Sequence, residues 1–228
     1  MAQEALRVGF FMDGYTLRKV NEYYKVHHKF HSNLDFRGLK HWVQMHVVRT
    51  FGDEAKRLEM ECHYYHPSRN PRIYGSEVEG VLRLEHELSA VGFQVHYSSR
   101  PDEPDMPGPN LGLMEDALLI ASYHRVDVIV LFSTQGQYAP LPDRLRMMGI
   151  PTILLGWDFM YPKGKRMVRW RTDTCLRETC AQYVAMEKVV DLASEEDRVP
   201  RGFFFQKDKP FSRGRNAVWS STPGKALA

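Results

Sequence analysis

The segment most constraining for the fold is Val128-Ile129-Val130-Leu131-Phe132, followed directly by Ser133-Thr134-Gln135-Gly136-Gln137-Tyr138. A short, wholly apolar run reads as a strand buried on both faces. Such strands belong to parallel sheets covered by helices, because only there does neither face meet water. The polar, glycine-bearing turn after it lies where an α/β protein carries its chemistry, at the carboxyl end of a central strand.

The rest of the chain repeats this alternation. Leu6 to Met12 reads as a second buried strand, ended by Asp13-Gly14. A helix starting near Thr16 places Leu17, Val20 and Tyr24 on one face. Asn33 or Asp35 caps a second helix carrying Leu39, Trp42, Val43 and Val47. Leu58–Tyr65 alternates as a strand, residues 76–90 are helical and stop at Gly92, and Phe93–Tyr97 is a short strand. Residues 101–109 are proline- and acid-rich loop. A helix over Leu111–Tyr123, the strand Val126–Phe132, a helix over Leu141–Met148 and a strand through Leu155 complete the pattern. The expected fold is α/β: three α/β/α layers around a mostly parallel sheet, with right-handed crossovers. Residues 1–197 form one domain. Residues 198–228 form a basic, aromatic extension, disordered at its far end.

Composition narrows the function classes. At 228 residues, 43% hydrophobic and 26% charged, the chain can bury a real core. Its formal charge of +3 permits an acidic partner without requiring one. No apolar run approaches the roughly 18 residues of a membrane span, so no membrane partner is expected. The start lacks a basic region followed by an apolar core, so no signal peptide is expected. Three cysteines (Cys62, Cys175 and Cys180) do not make a disulfide framework and fit a reducing, cytoplasmic setting. Their spacing gives no zinc motif. Neither a dinucleotide fingerprint nor a phosphate-binding glycine loop follows any strand. Asp13, read from its position alone, is equally a helix cap and a metal ligand.

The stretch VGFFMDGYTL (Val8 to Leu17) resembles the opening of the NYN family of PIN-like ribonuclease domains. The later blocks resemble it in the same order and at matching intervals: Asp116 to Ala121, Val126 to Leu131, Ser133 to Tyr138, and Leu154 to Phe159, the last as in a bacterial branch. The resemblance covers roughly Arg7 to Leu192. It implies a PIN-like fold and endoribonucleolytic cleavage of RNA by Mg²⁺ or Mn²⁺ held in a cluster of acids. Such ions take hard oxygen ligands and lower the pKa of the attacking water.

Carried over residue by residue, Asp13 and Asp116 keep the family's acids. Asn110, Gln135 and Gln137 stand where it has aspartates, Thr16 replaces a common asparagine, and Thr134 a common glycine. The implied site is therefore Asp13, Asn110, Asp116, Gln135 and Gln137, with Asp13 and Asp116 as residual metal ligands. Thr16, Ser133 and Thr134 are expected at the nucleic acid. Amides keep hydrogen-bonding capacity but carry no charge, and restoring three acids would bring the formal charge to zero. The expectation is RNA binding with weak or lost cleavage. An active ribonuclease and a protein-interaction module using the tail stay open beside it. Asp127 and Asp158 are further acids to place, Asp127 being at the wrong strand end.

Lys163, Lys165, Arg166, Arg169 and Arg171 surround Trp170. Read as a loop, they would hold phosphates while the aromatic stacks on a base, which favours single-stranded RNA. In the tail, Phe203, Phe204 and Phe205 are too apolar to stand in water. They are expected to dock on the domain or on a partner chain, as in a homodimer.

Overall fold

The computed structural model describes residues 5–51, 57–67, 78–97, 110–195 and 204–205. The expected loop at 101–109, Phe203 and the far end of the tail lie outside them.

Six parallel strands form the central sheet: β1 (Leu6–Asp13), β2 (Leu58–His66), β3 (Phe93–Tyr97), β4 (Val128–Phe132), β5 (Thr152–Gly156) and β8 (Gln182–Ala185). Their order is β3-β2-β1-β4-β5-β8. The direction of winding reverses between β1 and β4, so the carboxyl ends of those strands open a crevice.

Alternation along the strands builds two cores, one on each face. Phe10, Val130 and Ile153 point one way. They pack with Leu17 and Val20 of α1 (Gly14–Glu22), Leu39 and Val43 of α2 (Phe36–Phe51), Leu88 of α3 (Val78–Ser89) and Val190 of α7 (Met186–Glu195). Phe11, Leu131 and Leu154 point the other way. They meet Leu113 and Ala117 of α4 (Leu111–Ser122), Leu141 and Leu145 of α5 (Pro140–Met147) and Leu176 of α6 (Thr174–Thr179). Each fully buried side chain of this size contributes about 1.5–3 kcal/mol, and the two faces together give the three-layer α/β/α fold expected from the strand–helix alternation.

Helix starts follow their caps. Asp35, rather than Asn33, caps α2, its Oδ1 accepting from Arg37 and Gly38 N–H at 2.8 and 3.1 Å. Asn110 caps α4, its Oδ1 accepting from Leu113 N–H at 3.4 Å. α1 continues into a single π-helical turn, Tyr23–His27, that the helical spacing did not reveal.

The segment expected as a basic loop is instead an antiparallel hairpin, β6 (Phe159–Lys163) and β7 (Arg166–Trp170). Cross-strand partners share a face. Phe159 with Trp170 and Tyr161 with Val168 form the inner face, buried or half-buried; Met160 with Arg169 and Pro162 with Met167 form an exposed outer face. The inner face packs on α1 and the π turn: Tyr23 stacks on Phe159 at 4.3 Å and His27 on Tyr161 at 4.0 Å between ring centroids.

Two of the three tail phenylalanines dock on the domain. Phe204 and Phe205 are buried, Phe204 O accepts from Asp35 N–H at 2.8 Å, and Phe205 bridges to Leu34. The Phe205 ring sits among Tyr24, His28 and Phe30. Among the described residues, no helix is long and apolar enough to cross a membrane.

Candidate functional site

Asp13 ends β1 in the crevice between β1 and β4, with only 2% of its surface exposed. Its Oδ2 accepts three hydrogen bonds: from Thr16 N–H at 3.0 Å, Thr16 Oγ1–H at 2.6 Å and Gln135 Nε2–H at 2.7 Å. Its Oδ1 accepts from the Tyr138 hydroxyl at 3.3 Å. The cap and the candidate-ligand readings of Asp13 thus meet in one residue, and the cap geometry is fully formed. Gly14 follows because a Cβ there would stand 2.5 Å from the Tyr65 carbonyl oxygen, a backbone atom with no room to yield.

The second wall is the turn after β4. Thr134 N–H donates to Thr16 Oγ1 at 3.2 Å, the Thr134 and Thr16 hydroxyls lie 3.3 Å apart, and Ser133 Oγ accepts from Gln135 N–H at 3.2 Å. Thr16, Ser133 and Thr134 are all buried. These three, expected at the nucleic acid, turn their hydroxyls to one another, to Asp13 and to the turn, and so build the crevice wall. A 3₁₀ turn over Gly136–Tyr138 then directs Tyr138 inward and leaves Gln137 exposed. Gln135 and Gln137, paired by the resemblance, therefore part: only Gln135 donates to Asp13. The Gln135 Oε1 is buried without a hydrogen-bond partner.

Asn110 joins the crevice through Tyr138, whose hydroxyl oxygen accepts from Asn110 N–H at 2.8 Å; its own amide donates to His66 O at 3.4 Å. Asp116 has a separate set of partners. Tyr65, the strand neighbour of Asp13, donates its hydroxyl to Asp116 Oδ2 at 2.8 Å, and His96 Nδ1 lies 3.9 Å from the same oxygen.

Sequence reasoning passed over several residues that belong here. Tyr138 couples Asp13 to Asn110, and Tyr65 reaches Asp116. Asp173 lies against the turn: a Cβ on Gly136 would run into its carboxylate, and its N–H donates to Thr134 O at 3.0 Å. That carboxylate caps α6 through Cys175 and Leu176 N–H. His63 and His96 form a pair beneath α4, with His63 Nδ1 and His96 Nε2 3.2 Å apart and His63 stacked on Phe11. The signal for this pair was the alternation Glu61, His63, Tyr65 on one face of β2. Asp127, at the far end of the sheet, pairs with Arg7 at 2.7 Å, and Asp158 accepts from Thr172 N–H at 2.7 Å, so neither enters the crevice.

Burial pushes the Asp13 carboxyl above its ordinary value, against the opposing pull of the Thr16 and Gln135 hydrogen bonds. Burial likewise pushes the Tyr138 hydroxyl well up, with the Asp13 charge adding to it, so Tyr138 stays a donor. Burial holds both His63 and His96 below the usual imidazole value; for His63 the neighbouring His96 adds to the effect.

The residues present do not fit a divalent ion. Asp13 receives four donors for about four lone-pair directions. Asn110, Gln135 and Gln137 bring no charge. Among the described residues, no group of three or more His, Cys, Asp or Glu is placed to hold a metal. The arrangement can instead offer amide and hydroxyl dipoles at the switch point, rimmed by cations. Arg18 and Lys19 lie 5.4 and 5.9 Å from the Tyr15 ring, and Tyr15 lies 6.0 Å from Trp170 at the base of the hairpin. Lys163, Lys165, Arg166, Arg169 and Arg171 are exposed. Trp170 belongs to the inner face, its indole nitrogen buried, and does not present an open ring among them.

No family model matches the chain, and no curated protein sequence does. Among solved structures it is similar to a protein of unknown function from Vibrio parahaemolyticus. The two are 17% identical, with a TM-score of 0.55 over 82% of this chain and 96% of that chain. A likeness at this identity extends to the α/β fold.

Proposed function

We propose that this chain is an NYN-like, RNA-directed domain that binds RNA and has lost, or nearly lost, metal-dependent cleavage. The observation that carries the reading is the contact of Gln135 Nε2 with Asp13 Oδ2 at 2.7 Å. An amide donor stands against Asp13, the one buried strand-end acid among the described residues, where a second carboxylate would need a cation to sit between them. Asp13 is thereby held by neutral donors, and the crevice is a polar, structurally closed feature instead of an anionic one. Removing negative charge there favours a phosphate backbone nearby, and the exposed cations of the hairpin, with Arg18 and Lys19 on α1, supply the attraction.

The chain's own residues have limited roles in this reading. Thr16, Gln135 and Tyr138 fix the Asp13 carboxylate, Thr134 holds the Thr16 hydroxyl, Asn110 closes the crevice through Tyr138, and Lys163, Lys165, Arg166, Arg169 and Arg171 take phosphates. Phe204 and Phe205 are buried against the domain itself, which weighs against the reading of the tail as an aromatic bait for another protein. Titrating a fluorescent RNA with the protein at two salt concentrations tests the proposal. Affinity that falls steeply with salt is expected; no affinity, or affinity indifferent to salt, would overturn it.

A further inference from the structure

The β6–β7 hairpin has two unlike faces. Its aromatic residues, Phe159, Tyr161 and Trp170, all lie on the inner face, packed against Tyr15, Tyr23 and His27. Its outer face carries Met160, Pro162, Met167 and Arg169, with Met160 and Met167 52% and 58% exposed. Between residues 163 and 171 stand five cations and no acid. None of the five enters an ion pair among the described residues, unlike Arg7, Arg83, Arg125 and Arg146 elsewhere on the surface.

This division bears on the form of nucleic acid the hairpin can hold, given the RNA-directed reading on which the inference rests. Proteins that hold single strands pair a cationic groove with exposed aromatic rings, because unstacked bases need a surface to stack on. Here the charge is exposed and the rings are turned inward. A partner whose bases are already stacked on one another has no need of those rings. The geometry points to a double-helical RNA stem as the ligand of the hairpin's outer face.

Dimensions agree with that ligand. Strands of five residues span about 16 Å at roughly 3.3 Å per residue, and the two lie about 4.8 Å apart. A ribbon of this size fits the wide, shallow minor groove of an A-form helix, where recognition proceeds by shape and by phosphate and 2′-hydroxyl contacts. Arg169 stands on the outer face near the base. Lys163 and Arg166, partners in the register of the inner face, are exposed at the tip beyond its rings, and with Lys165 in the turn and Arg171 at the base they reach flanking phosphates. Met160, Pro162 and Met167 pack on ribose. The contact reads shape and carries no sequence preference.

The test compares three probes on the full chain: an RNA duplex of about 16 base pairs, one of its strands alone, and vesicles rich in phosphatidylserine. The variant K163Q/K165Q/R166Q changes exposed side chains only, and its melting temperature checks that it folds. The wild-type protein is expected to bind the duplex at least as tightly as the single strand. The variant is expected to lose about tenfold or more in duplex affinity, with the slope of log affinity against log salt reduced by about 3, one for each phosphate it no longer neutralises. Binding of the single strand but not the duplex, or a variant with unchanged duplex affinity and slope, overturns the hairpin assignment alone. Binding of neither RNA overturns it together with the RNA-directed reading. Vesicle binding that needs these cations, without duplex binding, overturns it in favour of a membrane surface.

Discussion

Asp13 meets four donors in a site closed to water, and its role as a cap and its role at the centre of the crevice cannot be separated. Asp13→Ala removes the acceptor of the Thr16 amide and hydroxyl, Gln135 Nε2 and the Tyr138 hydroxyl at once. The variant is expected to lose about 2–4 kcal/mol in urea unfolding, from the lost cap and the stranded buried donors. A stability equal to wild type would show that Asp13 is not held as described. Gln135→Asp makes the complementary change, setting a second carboxylate against Asp13. In metal-free buffer it is expected to melt below the wild type, with added Mn²⁺ restoring part of the loss. A melting temperature indifferent to both changes would place Gln135 elsewhere. Position 13 was legible in the sequence because an acid closing an apolar strand is conspicuous. Its partners were not: Thr134 and Gln135 stand more than a hundred positions away, and only the resemblance brought them to the same place. Asp173 was illegible for the same reason, since nothing in its neighbourhood marks it as a neighbour of Gly136.

The elements divide by how their burial is written in the chain. The strands buried on two faces and the amphipathic helices through Gly156 were readable from apolar periodicity, to within a residue or two at their ends. The β6–β7 hairpin was not, because Pro162, Gly164 and five cations give it the composition of a loop, while its burial is one-sided and rests on aromatic contacts with the π turn. The short elements α6 and β8 and helix α7 carry too few periodic positions, or follow too closely on one another, to stand out. The docking of the tail was expected from the apolar character of three phenylalanines, though the sequence did not say which surface receives them. Phe205→Ala empties a cage formed by Tyr24, His28 and Phe30 and is expected to lower stability by about 2–4 kcal/mol. A loss near zero would mean that the tail does not hold its place in solution. The histidine pair linking β2 to β3 gives a pH dependence. His63 is held below its ordinary value of 6.5 by burial, so the unfolded chain binds the proton first as the pH falls. The stability it contributes is present above 6.5 and is lost as the pH drops through the folded value. His63→Phe is expected to flatten the fall in unfolding free energy as the pH drops below 6.5. An unchanged slope would assign that titration to another group.

At the scale of the whole molecule, the sheet brings β1 and β4 together at the reversal of strand order and sets the crevice there. The hairpin then follows β5 and packs on the α1 side, its base set against Tyr15 through Trp170 and its tip reaching past Tyr161 and His27. A formal charge of +3 says little about such an arrangement; its distribution, five cations without an acid over residues 163–171, says more. The overall architecture was readable from the order of strands and helices, whereas the gathering of neutral donors around Asp13 and the cationic ribbon required the folded chain. The most direct measurement is to incubate end-labelled RNA with the wild-type protein and Mn²⁺, following binding by fluorescence anisotropy and integrity on a denaturing gel from the same sample. The RNA is expected to be bound and to stay full length, while N110D/Q135D, which changes the two amides that the crevice gathers around Asp13 and Tyr138, shortens it only when Mn²⁺ is present. Shortening by the wild-type protein that needs Mn²⁺ and vanishes in Asp13→Ala would contradict the reading of a crevice held by neutral donors.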